Sequence, residues 1–306
     1  MEAFDPNEHR ARCEEYLNRF LQSRVRLVHA EPLTRSSRDV PWRLDVAAAE
    51  VPPEVDGATR SYVLRLAARD SEHEYHVLRA MEALPIPTPR VYGWDPLGQA
   101  LGVPCFFCDF VVGESLLGPM LAREAWAEGL YIETVCALQA VSREQLATVA
   151  HRLGSGETAV DFLETAYEYF RTHPHLLADA VYERLIQTMP GLPAVRFSNG
   201  DLWLDNLIVR DRQLAGVIDF EGAGFSDPIY EFLLPFFVAP ELRGRGIEER
   251  YCQRMGYDPD ILPWYRALEC FDTWHWVLLT GEPFVHHTAE SLRAALERWL
   301  DQRPSG

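Results

Sequence analysis

The segment NGDLWLDNLIVRDRQLAGVIDFE, residues 199–221, concentrates the polar groups best suited to chemistry. Asp201 falls in a turn, and Asn206 follows five residues later. Asp219 closes the second of two short apolar runs, 207–211 and 214–220, which a tight turn at Arg212–Gln213 separates. A hairpin returns its strand ends to one place, so Asn206 and Asp219 are expected to face a shared point while Asp201 looks across from the loop. Two oxygen donors with a third carboxylate nearby suit magnesium, a hard cation that keeps some water and is completed by substrate phosphates. The competing reading makes the same residues turn formers that bond nearby backbone.

The elements that must position these groups follow from periodicity. Residues 2–22 read as an amphipathic helix, with Cys13, Tyr16, Leu17, Phe20 and Leu21 at helical spacing. Alternating strands follow at 25–33, 42–50 and 61–67, the third carrying Arg65, and a helix over 69–84 carries Glu74. Arg90–Trp94 and 104–112 read as two further strands, and GESLLG breaks the pattern after them. Beyond it the chain turns helical at 122–141, 159–173, 176–189 and most of 229–302. The expected class is α+β, with a sheet-bearing domain at 1–113 and a helical domain at 114–306.

Composition narrows the function. The chain of 306 residues is 47% hydrophobic, enough for a sizeable core. Its 29 basic residues are all arginine, against 46 acidic ones, and the net charge of −17 argues against a nucleic-acid surface, which needs clustered positive charge. The start is charged from the second residue, and no uninterrupted apolar run of about 18 residues occurs. A cytoplasmic protein that does not engage a membrane is therefore expected. Cys105 and Cys108 have the spacing of a metal or redox half-site, but they sit in a strand with no second pair, which favours buried structural cysteines.

The element order and several motifs together resemble the aminoglycoside phosphotransferase and choline kinase family. The resemblance rests on NGDLWLDN at 199–206, VIDFE at 217–221 and the Asp227–Pro228 pair. EYHVLRAME from Glu74, IPTPRVYG at 86–93 and FVVGESL at 110–116 support it, over roughly residues 24 to 237. It implies a protein-kinase-like two-lobe fold and transfer of the γ-phosphate of ATP or GTP, with Mg2+, to a hydroxyl of a small molecule. It makes Asp201 the catalytic aspartate and Asn206 and Asp219 the metal ligands. Arg65 would face the nucleotide phosphates with Glu74 as its helix partner, while Asp109, Phe110 and Val111 would line the hinge beside the base. TRSSRDVPW at 34–42 stands where relatives carry a glycine-containing phosphate loop, so Ser36, Ser37 and Arg38 are expected to reach phosphate by side chain. Asn199 takes the usual histidine position as a brace for the loop. Glu221 is left with two roles, bracing the metal loop or reaching a substrate.

The acceptor is expected near LECFDTWHWVLLTGEPFVHH, 268–287, where Glu269, Asp272, Trp274, His275 and Trp276 could hold a cationic amine. Packing of the tryptophans into a helical core is the alternative. Two other functions compete: a kinase-like nucleotide-binding protein with weakened or lost catalysis, and a protein kinase. Monomer and homodimer are both open.

Overall fold

The computed structural model describes residues 4–21, 23–33, 41–49, 59–66 and 71–302. In chain order its elements are helix α1 (Arg10–Phe20), strands β1 (Val25–Pro32), β2 (Trp42–Ala48) and β3 (Arg60–Leu66), helix α2 (Ser71–Met81), and strands β4 (Val91–Asp95), β5 (Cys105–Asp109) and β6 (Glu114–Ser115). Helices α3 (Leu117–Leu121), α4 (Ala125–Gln139), α5 (Ala150–Leu153), α6 (Ala159–Thr172) and α7 (Leu176–Gln187) precede strands β7 (Arg196–Ser198), β8 (Leu207–Arg210), β9 (Gln213–Val217) and β10 (Gly224–Ser226). Helices α8 (Pro228–Val238), α9 (Ile247–Met255), α10 (Leu262–Thr280) and α11 (Ala289–Asp301) follow. The class is α+β, an antiparallel N-terminal sheet and a largely helical C-terminal region. Contacts divide the chain into two compact units: Met1–Glu114 with Leu146–Arg152 and Leu207–Ala223, and Ser115–Gln145 with Leu153–Asn206 and Gly224–Gly306.

The first unit is built on an antiparallel sheet in the order β1-β2-β3-β5-β4. Alternation along β3 sends Tyr62 and Leu64 to one face and Val63 and Arg65 to the other. The first pair joins Cys13, Tyr16 and Leu17 of α1 with Leu27, Leu44, Val46 and Phe107 in a continuous apolar layer. On the opposite face α2 packs through Tyr75, whose ring stacks on Trp94 at 5.5 Å and meets Phe106 edge-on at 5.5 Å. The β8–β9 hairpin belongs here because Val217 N donates to Pro87 O at 2.9 Å and Gly216 lies under Val111, where an added Cβ would stand 3.0 Å from the valine.

Two boundaries differ from the sequence reading. Helix α1 starts at Arg10 rather than near residue 2, because Asp5 and Pro6 open a turn in which Glu8 and His9 both donate to Asp5 O at 3.2 Å. The hairpin turn falls one residue earlier, at Asp211–Arg212, with φ of 53° and 61°. A bulge at Ile208/Val209 shifts the register so that Arg210 pairs with Gln213.

The second unit packs α10 against α6, α8 and α11. Phe170, Phe271 and Trp274 form part of its core, with ring centroids 4.8 Å apart between Phe170 and Trp274. Asp227 fixes the start of α8: it accepts from Ile229 N at 3.0 Å and Tyr230 N at 3.1 Å, and from Tyr265 Oη at 2.8 Å. Among the described residues, no helix is long and apolar enough to cross a membrane.

Candidate active site

In the second unit, β7 pairs antiparallel with β10 and delivers the chain into the loop 199–203, which ends in a 3-10 turn at Leu204–Asn206. Gly200 makes the entry with φ +84°, a conformation glycine adopts without steric cost. Gly200 N donates to Ser198 Oγ at 3.0 Å, and that hydroxyl donates to Glu231 Oε2 at 2.9 Å. Buried Asn199 donates from Nδ2 to Asp201 O at 2.9 Å, the bracing expected of this position. Asn206 Nδ2 reaches both Asp201 O at 3.1 Å and Asp201 Oδ2 at 2.9 Å, while Trp203 N approaches Asp201 Oδ1 at 3.3 Å. Asp201 is thus held at its backbone and at both carboxylate oxygens.

In the first unit, Arg65 is clasped by two carboxylates. Its Nη2 lies 2.8 Å from Glu74 Oε2 and also bonds Glu221 Oε1. Glu74 is 4% exposed and receives Phe220 N at 3.4 Å, so α2 is tied to the loop after β9. Burial pushes the Glu74 carboxyl up to about 7, with Asp219 and Glu221 adding to the shift and Arg65 opposing it. Asp219 stands in the left-handed region at φ 61°, which aspartate tolerates better than most side chains. The cluster sets one guanidinium against three acidic side chains.

Each unit offers oxygen donors of the kind magnesium takes. In the second, Asn206 spends its amide nitrogen on Asp201 and keeps its carbonyl oxygen as a hard donor; in the first, Asp219 carries a carboxylate. Among the described residues, no group of three or more His, Cys, Asp or Glu side chains could hold a metal ion.

A cavity of about 270 Å³ opens within the second unit beside Gly200. Its lining includes Tyr230, Glu231, Glu269, Asp272, Trp276 and Phe284. Glu269 is only 5% exposed, and its carboxyl is raised well above the usual range, chiefly by burial, with Arg243 opposing. Glu231 is raised for the same reason, with the hydroxyls of Ser198 and Ser226 opposing. Asp272 accepts from Tyr230 Oη at 2.6 Å. One edge is a tight turn in which Phe284 and His287 exchange backbone bonds of 3.0 and 2.8 Å. The His287 ring stacks on Phe237 at 4.1 Å and its Nε2 lies 3.0 Å from Phe237 O, while Val285 at the tip has φ 55°.

The sequence pattern of the phosphotransferase enzyme family matches residues 54–268. The chain belongs to this family. Among solved structures, a candidate aminoglycoside phosphotransferase from Ralstonia eutropha JMP134 superimposes with a TM-score of 0.67 at 16% identity, covering 97% of this chain and 96% of that one. A thermostable mutant of aminoglycoside phosphotransferase APH(4)-Ia gives 0.65 at 16% identity, over 97% and 100% of the two chains. Choline kinase LicA from Streptococcus pneumoniae gives 0.56 at 14%, over 96% and 99%. No match was found among curated protein sequences. These likenesses carry the fold, which is protein-kinase-like, and the chain is a small-molecule phosphotransferase by family.

Within this phosphotransferase the sequence-derived residues fall unevenly. Asp201 and Asn206 meet in one loop, and Arg65, Glu74 and Asp219 share one cluster. Ser36, Ser37 and Arg38 lie outside the described residues. At the expected hinge, Asp109 N and Phe110 N are already bonded to Arg90 O at 2.9 Å and Ser61 O at 3.2 Å. Val111 packs on Gly216. Trp274 is core, 2% exposed, whereas Glu269, Asp272, His275 and Trp276 line the cavity. Glu231 lines it as well, and Phe284 carried no signal beyond its aromatic type.

Proposed function

We propose that the protein transfers the γ-phosphate of ATP or GTP, with magnesium, to a hydroxyl of an amine-bearing small molecule. In this reading Asp201 receives the hydrogen bond of the acceptor hydroxyl and orients its oxygen for in-line attack on the γ-phosphorus. The bond to the β–γ bridging oxygen breaks, the nucleoside diphosphate leaves, and the hydroxyl proton passes to Asp201 or to the phosphoryl oxygens. An aspartate is a weak base toward an alcohol, so orientation carries more of the rate than proton removal. Arg65, steadied by Glu74, takes phosphate oxygens through its fork. Asn206 and Asp219 hold the magnesium ion, which offsets charge on the phosphates. Asp109, Phe110 and Val111 border the base, and Ser36, Ser37 and Arg38 reach the phosphates.

The observation that supports this most directly is the cavity at Gly200, one residue before Asp201, whose wall combines buried carboxyls with aromatic rings. Such a wall favours a cation carried on a small organic body. The test is a coupled assay for nucleoside diphosphate release with ATP and GTP across aminoglycosides, amino alcohols, neutral sugars and casein. Turnover confined to amine-bearing acceptors is expected. Turnover of neutral sugars or casein instead would overturn the acceptor class, and no nucleotide-dependent turnover with any of them would overturn the reading.

A further inference from the structure

The first unit carries a second cavity, of about 570 Å³, on the α1 face of its sheet. Its lining includes Phe20, Val46, Arg60, Tyr62, Arg90 and Tyr92. Strand alternation puts Arg60 and Tyr62 on the face opposite Arg65, so this space is separate from the cluster assigned above to phosphate. The walls are firm. The Phe20 ring sits so close over Gly93 that an added Cβ there would stand 2.7 Å from it, and Tyr62 and Tyr92 meet edge to face at 6.1 Å.

Two guanidiniums border this aromatic space in a chain of net charge −17. Arg90 lies over the Tyr92 ring at 5.6 Å, and its carboxylate contact, to Glu82, is a long 4.0 Å. Arg60 is exposed and forms no ion pair among the described residues. Its recorded neighbour is the Tyr62 hydroxyl, and Asp109 feels both arginines through space. Phosphate transfer by the Arg65 cluster uses neither side chain. A concave space of a few hundred cubic ångströms in which charged groups converge beside aromatic side chains can take a small polar ligand.

We propose that this cavity is a second ligand site, for a small planar anion: an aromatic ring lying among Phe20, Tyr62 and Tyr92, with its carboxylate met by Arg60 and Arg90. Guanidinium forks match carboxylates in charge and geometry, and the tyrosine edges complement a flat ring.

Calorimetric titration of salicylate into the full chain tests this, with 2-hydroxybenzyl alcohol as the neutral analogue. Saturable binding is expected for salicylate and none for the alcohol, unchanged by saturating magnesium–ATP. The Arg60→Gln/Arg90→Gln double variant should bind at least about tenfold more weakly, as loss of charge-assisted hydrogen bonds predicts. Ala48→Trp, which fills the same cavity from an exposed position on its lining, should give the same loss, so a folding defect in either variant leaves the other decisive. Absence of saturable binding, equal binding by a folded variant, or displacement by magnesium–ATP would each overturn the proposal.

Discussion

Two polar clusters, one in each unit, are held by different forces. The 199–206 loop is fixed by hydrogen bonds from uncharged donors around Asp201, on Asn199, Trp203 and Asn206, which reach its backbone and carboxylate oxygens. The Arg65 cluster is held by charge, with one guanidinium between Glu74 and Glu221 and with Asp219 close enough to push Glu74 further up. Uncharged donors carry no proton to lose, so the loop's hydrogen bonds depend on geometry more than on charge balance. A cluster with surplus negative charge gains most when a cation joins it.

Breaking the loop's hydrogen bonds should cost most. Asp201→Ala is expected to lower kcat by about 10³-fold, with nucleotide affinity changed less than about twofold, read from steady-state kinetics and calorimetry. Next comes the charged side: Asp219→Asn keeps a side chain that tolerates positive φ but removes a ligand charge. It should weaken magnesium–ATP binding by at least about tenfold while thermal stability stays level or rises, since it relieves repulsion around Glu74. A matching loss in metal-free nucleotide binding would contradict the assignment.

Arg65→Lys tests the clasp. Both carboxylates meet the one nitrogen Nη2, so an ammonium can keep a pair with them but lacks the remaining guanidinium donors; we expect a loss of no more than about 1 kcal/mol in stability and weaker nucleotide binding. In the cavity, Glu269→Gln should raise KM for an amine-bearing acceptor about tenfold with little change in kcat. Because the Glu269 carboxyl is raised, its charge is gained only above the ordinary carboxyl range; acceptor KM should fall as pH rises in the wild type and stay flatter in the variant. A last effect is on stability alone. Glu74 has a folded value of about 7 against an ordinary 4.5, so its contribution is fullest below 4.5 and is lost as pH rises through 7. The stability difference between wild type and Glu74→Gln should therefore shift against the wild type between pH 4.5 and 8, in denaturant titrations.

Much of this was legible in residue order. Alternation around Arg65 and helical spacing around Glu74 are local signals, and both survive into the fold because each element has one face to bury. The spacing of Asp201 and Asn206 likewise put both in one short segment, where the structure has them hydrogen-bonded. What stayed hidden depends on tertiary neighbours. Trp274 and Trp276 are both aromatic and two residues apart on α10, yet one fills the core and the other faces the cavity, which only the packing of α6 decides. The engagement of Glu221 with Arg65 spans 156 positions and has no local pattern. The turn at Asp211–Arg212 moved by one residue because a bulge changes register without changing composition.

The Phe284–His287 turn separates what faces the cavity from what faces solvent. Its base is clamped to Phe237, while its tip, Val285, is 62% exposed and has a backbone geometry that a β-branched residue adopts at a cost. Substitution or insertion at that tip would leave the apolar layer behind it intact, and glycine there would relieve the backbone as well. Such a tip is a point of low resistance to change: its length and composition can drift while the layer beneath it stays as it is.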